Sequence, residues 1–164
     1  MSPVRSAPKD QTLDPLLTTP RARLAHMSLA VRDTAAAAGF LETCFGFTPV
    51  FAETGMTGQI RDMTGQPDLA CDICQLAVPG GAAIVELIAF HGPRTTGAAF
   101  GFADGAGGSH LALAVPQLDH AISRVIAEGA AVQGRVTQFA DCRAVYCHAP
   151  GGLLVELEEM QAHG

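Results

Sequence analysis

The chain carries the same arrangement twice, and this duplication constrains its fold more than any other feature. His26-Met-Ser-Leu-Ala-Val31 and His110-Leu-Ala-Leu-Ala-Val115 share the frame His-x-x-Leu-Ala-Val, each preceded by a small residue. Each reads as a strand followed by a helix. Residues 33–44 are rich in Ala, with Ala37, Phe40, Leu41 and Cys44 at helical spacing. Residues 118–127 place Leu118, Ile122, Val125 and Ile126 on one side, with Gly129 as a stop. Downstream the echo returns: Pro79-Gly-Gly-Ala-Ala-Ile-Val-Glu86-Leu87 answers Pro150-Gly-Gly-Leu-Leu-Val-Glu156-Leu157, with one residue more in the first copy. Pro-Gly-Gly marks a turn and the apolar run behind it a strand, so each Glu is expected in the second arm of a hairpin.

Strand-like runs at 47–53 and 70–78 in the first copy, and at 131–139 and 142–148 in the second, complete each half as strand, helix, strand, strand, strand. The expected class is α+β, one domain over residues 23–164 made of tandem βαβββ modules at 23–91 and 108–160. A longer loop at 54–69 accounts for the greater span of the first half. Residues 92–107, rich in Gly, join the halves as a linker or a lid over a pocket. Residues 1–22 hold four prolines and no sustained periodicity, and read as an N-terminal arm.

Composition narrows the function. With 48% hydrophobic and 16% charged residues, the chain lies far from the region where sequences stay disordered. The formal charge of −6 and the scattered Lys and Arg argue against nucleic acid, whose binding rests on neutralising phosphates. Apolar runs fall well short of the roughly 20 residues needed to cross a bilayer. An odd count of five cysteines and no export signal favour reduced thiols and a cytoplasmic location.

The chemistry gathers on four residues. Side chains alternate along a strand, so His26 shares a face with Ser28 and Ala30, and His110 with Ala112 and Ala114, while the oily positions between them can pack on a helix. Glu86 alternates with Val85 and Leu87, and Glu156 with Val155 and Leu157. A carboxylate in the middle of an apolar strand is costly unless paired or bound to a metal. Two imidazoles and two carboxylates form a mixed N/O set suited to one divalent ion, Zn, Ni, Co, Mn or Fe.

His26, Glu86, His110 and Glu156, each on the first or last strand of a βαβββ half, resemble the vicinal oxygen chelate superfamily over roughly residues 23–160. The resemblance implies a curved mixed-sheet cup around a metal with open positions for substrate oxygens. It also implies a metal-dependent lyase or isomerase moving a proton through a metal-bound enediolate, with Glu156 and Glu86 as both ligands and candidate bases. Glu at position 86 is closer to the glyoxalase I branch than to the methylmalonyl-CoA epimerase branch. Two rivals accompany this reading. The stretch from Val145 and Tyr146 to Glu156 resembles half of the extradiol dioxygenase signature, but a His is missing near Thr137 and Glu86 fills a position that Fe(II) needs. A drug-binding or resistance protein without chemistry is the other rival. The expected partners are a small-molecule substrate and a second copy of the chain, since a duplicated sheet leaves edges to cover.

Other residues read as structural. Cys71 and Cys74 point to opposite faces of a strand and lack a second pair. Cys142 and Cys147 suit a core. Tyr146 reads as packing, and His91 and His148 as strand-end residues. Arg61, Arg94 and Arg143 are possible anion partners, better explained as solvated surface charge.

Overall fold

A computed structural model describes residues 24–92 and 109–161. The first half runs β1 (Met27–Ala30), α1 (Thr34–Phe45), β2 (Thr48–Met56), α2 (Gly58–Thr64), β3 (Ala70–Ala77) and β4 (Ile84–His91). The second runs β5 (Leu111–Ala114), α3 (Leu118–Ala127), β6 (Ala131–Gln138), β7 (Cys142–Ala149) and β8 (Leu153–Met160). Each half forms a four-stranded sheet, in the orders β1-β4-β3-β2 and β5-β8-β7-β6. The first strand runs parallel to the last and the remaining pairs are antiparallel. The duplicated α+β fold is therefore as the repeat predicts. The arm at 1–22 and nearly all of the linker at 92–107 lie outside the described residues, and among the described residues no helix is long and apolar enough to cross a membrane.

Local chemistry sets the helix ends. The Asp33 carboxylate accepts from the backbone N–H of Ala36 at 2.9 Å and caps α1, so Asp33 precedes the helix instead of beginning it. Gly46, at φ 73°, closes α1 through its N–H to the Glu42 carbonyl. One difference from expectation falls at 54–69, read as a loop. There β2 continues to Met56 and a seven-residue helix, α2, follows; that is too short to display helical periodicity, and only Ile60 of it is buried.

Both halves share one core. Leu29, Leu41, Leu76 and Leu87 from the first pack with Leu118, Val125, Val155 and Leu157 from the second. Burying a Leu or Val side chain contributes roughly 1.5–3 kcal/mol, so this common core ties the halves together. The start of α1 is also bound to the second hairpin: the N–H groups of Arg32 and Asp33 both donate to the Gly151 carbonyl, at 2.6 and 3.2 Å. Arg124 on α3 donates to the Thr43 carbonyl on α1.

Alternation then dictates where the Glu residues face. Val85 and Leu87 enter the shared core, so Glu86 lies on the opposite face of its sheet; Val155 and Leu157 do the same for Glu156. On the Glu86 face a second, smaller cluster forms where Ile60 of α2 covers Leu69, Cys71 and Ile88.

Candidate metal centre

His26 and His110 stand immediately before β1 and β5 rather than inside them. Each first strand runs parallel beside the strand that carries the Glu, with Ser28 opposite Glu86 and Ala112 opposite Glu156. That register brings His26 Nε2 to 3.6 Å from Glu86 Oε1 and His110 Nε2 to 3.0 Å from Glu156 Oε2. Glu86 is one of the two buried polar residues of the described chain, at 8% exposure, whereas both imidazoles are partly open to solvent.

A further strand supports each carboxylate from the other side. Gln75 on β3 lies opposite Glu86 and donates its side-chain amide to Oε2 at 2.8 Å. Tyr146 on β7 lies opposite Glu156 and is hydrogen-bonded to it. The Tyr146 ring also meets His110 edge-on, with centroids 5.2 Å apart at 78°. Burial, followed by the Glu156 charge and the hydrogen bond to it, pushes the Tyr146 hydroxyl above its ordinary pKa, so the phenol stays protonated and available as a donor. Tyr146 is thus part of the site and not only packing, and Gln75 is its counterpart. Counting outward from each Pro-Gly-Gly turn along the antiparallel arms reaches both residues, a signal present in the sequence. Replacing Tyr146 with Phe is expected to leave the fold intact; where Glu156 acts as a metal ligand, metal retention should fall by about 10-fold, the effect typical of a lost outer partner, and equilibrium dialysis would measure it.

The sequence profile of the Glyoxalase/Bleomycin resistance protein/Dioxygenase superfamily matches residues 23–157. The chain belongs to this superfamily. Comparison with curated proteins gave no match. Among solved structures, a glyoxalase family protein from Bacillus cereus is similar with a TM-score of 0.73 and 22% identity, covering 88% of this chain and 98% of its own. The fosfomycin resistance protein FosX from Listeria monocytogenes, in complex with Mn(II) and sulfate, gives a TM-score of 0.53 at 16% identity over 87% of this chain and 95% of its own. TnmS3, an antibiotic binding protein from Streptomyces sp. CB03234, gives 0.54 at 19% over 87% and 100%. At these identities the likeness is one of fold.

Within this glyoxalase-superfamily chain the four expected ligands stand as two pairs. Among the described residues no three His, Cys, Asp or Glu side chains gather as a group able to hold a metal ion. The shared core accounts for this, because it occupies one face of each sheet and leaves each His–Glu pair on the face turned away from it.

The remaining candidates are occupied elsewhere. Arg61 donates to the Leu69 carbonyl at 3.0 Å, and Arg143 bridges Asp119 and Glu159 at 2.9 and 3.1 Å; Arg94 lies outside the described residues. His91 bonds Asp72 at 2.8 Å. The Asp72 carboxyl is held below its ordinary pKa, first by the Gly55 N–H and then by His91, so this pair ties β3 to β4. All five cysteines are free and buried, with their thiols pushed up by burial; Cys71 and Cys74 fall in different clusters, on opposite faces as alternation predicts. One residue that sequence reading missed is Arg135. It lines a cavity of about 330 Å³ together with Gln133, Thr137, Phe139, Tyr146 and Glu156.

Proposed function

We propose that the protein is a metal-dependent enzyme that moves a proton on a small oxygen-bearing substrate, of the lyase or isomerase kind. In this reading the ion is held by His26 and Glu86 of one chain together with His110 and Glu156 of a second copy. The observation that carries the reading is that two His–carboxylate pairs occupy matching places in the two halves, each braced by a neutral donor on the next strand. A buried carboxylate beside an imidazole, with its second oxygen already hydrogen-bonded, is oriented as a ligand. One pair offers two donors, and a divalent transition ion takes four or more, so the donor set fits such an ion when two pairs meet.

A bound divalent ion would supply electron withdrawal from a substrate carbonyl, which acidifies the neighbouring C–H. The chain's own residues would do the rest. Glu156 borders the cavity and can accept the proton, whereas buried Glu86 is suited to holding the ion. Tyr146, protonated and bonded to Glu156, keeps that carboxylate aimed. The His110 imidazole is fixed between the Tyr146 ring and Glu156.

Elemental analysis of protein purified without chelator tests this. About one divalent ion per chain is expected, and Glu86→Gln and His110→Ala should each lower its occupancy at least about tenfold. Fe together with oxygen uptake on catechols would redirect the reading to ring cleavage. Native protein that is metal-free and takes up no Zn, Ni, Co, Mn or Fe would overturn it, leaving a cup that binds without chemistry.

A further inference from the structure

We propose that the cavity beside Glu156 is an oxyanion subsite in which Arg135 anchors the charged end of a small hydroxy or oxo acid. The inference deepens the function proposed above and rests on it for the placement of the reacting carbon near Glu156.

Four observations converge. First, the Arg135 side chain has no hydrogen-bond or ion-pair partner among the described residues, while Arg61, Arg124 and Arg143 are each committed to carbonyl or carboxylate acceptors. In a chain of formal charge −6, an uncommitted guanidinium lining a cavity is set to receive an anion from outside. Second, Gln133 on the same lining has a buried side-chain oxygen with no hydrogen-bond partner. A buried acceptor of this kind calls for a donor, which a substrate hydroxyl provides. Third, the backbone is shaped for the purpose. Gln133 pairs with Tyr146 and Thr137 with Ala144, so four steps along β6 answer two along β7. The strand bows outward at Gly134, which takes φ 69°. Bulges of this sort re-aim side chains beside active sites. Fourth, the two halves are unequal. The carboxylate face of the first sheet is partly covered by α2, with Ile60 over Leu69, Cys71 and Ile88, whereas the second sheet keeps the open cavity.

Size limits the ligand. A cavity of about 330 Å³ holds roughly ten water-sized groups at ~30 Å³ each. That suits a short acid with Phe139 and Tyr146 as its walls, and excludes a nucleotide-bearing carrier from the recess. Arg135 recognises a carboxylate or a phosphonate alike through paired N–H donors.

The test uses metal-free, full-length protein and calorimetric titration with L-lactate, its neutral analogue lactamide, propionate and inorganic phosphate. Wild type is expected to bind lactate at least about tenfold more tightly than lactamide. Arg135→Gln should erase that preference while leaving lactamide binding unchanged, and Arg135→Lys should restore part of it. Gln133→Leu should reduce discrimination between lactate and propionate. Tighter binding of phosphate, lost in Arg135→Gln, would support the subsite and identify a tetrahedral anion as its ligand. Equal affinity for lactate and lactamide in wild type, or an unchanged preference in Arg135→Gln, overturns the proposal. Because these titrations need no metal, an acid preference that depends on Arg135 in a protein unable to bind metal would sink the proposed chemistry and leave the subsite standing.

Discussion

Replacing Gly151 with alanine is expected to destabilise the protein by about 3 kcal/mol or more, and the matching change at Gly80 by only about 1–2 kcal/mol, the usual cost of a left-handed residue. Both glycines follow a proline in the duplicated turn and both take positive φ, 73° and 68°. Their surroundings differ. A Cβ on Gly80 would meet nothing within 4 Å. On Gly151 it would press into the Asp33 carbonyl oxygen and lie 2.7 Å from the Ala37 nitrogen and 2.9 Å from the Ala37 Cβ, all on the first turn of α1 or its cap. The second hairpin cannot withdraw without losing the Arg32 and Asp33 hydrogen bonds to the Gly151 carbonyl. At roughly 2–4 °C per kcal/mol for a chain of this size, Gly151→Ala should melt about 6–12 °C below wild type. Thermal and urea unfolding of the two variants would check it. Equal losses would mean that the contact between α1 and the second hairpin contributes little to holding the halves together.

That contact also separates what the sequence discloses from what it conceals. The repeat of His-x-x-Leu-Ala-Val and of Pro-Gly-Gly is read directly as two βαβββ units, because strand and helix periods and turn residues act locally. The helix α3 spans 118–127, as its periodicity predicts. Alternation likewise assigns Glu86 and Glu156 to the face opposite Val85, Leu87, Val155 and Leu157, as found. Alternation cannot say what that face looks onto. Whether the two halves turn their carboxylate faces toward each other or away depends on how α1 meets the second half, where Gly151 packs closely on Asp33 and Ala37, and that contact is not local in sequence. The short helix α2 and the orientation of Arg135 escape for related reasons. One starts at Gly58 and is stopped by Gly65, with a single buried residue, and the other is aimed by a bulge at Gly134 that only pairing register reveals.

The largest functional effect is expected from mixing two inactive variants. In one, His26→Ala and Glu86→Gln remove the first pair; in the other, His110→Ala and Glu156→Gln remove the second. Each alone should lose nearly all metal and activity, since two donors remain of four. If a centre is built from the first half of one chain and the second half of another, a mixed dimer holds one centre with both pairs intact and one with neither. Random re-pairing after mild denaturation and refolding would then recover about a quarter of the wild-type metal content and activity, half the dimers being mixed and half their centres complete. Centres closed within a single chain would give no recovery, because every one would lack a pair. The structure bears on this choice through the two separate His–Glu pairs and the absence, among the described residues, of a third His, Cys, Asp or Glu grouped with either. Each pair keeps its carboxylate oriented by Gln75 or Tyr146 before any partner arrives. Under the proposed reading the two pairs act as preoriented half-sites, and the shared core between them in one chain would then be what directs each toward a second copy.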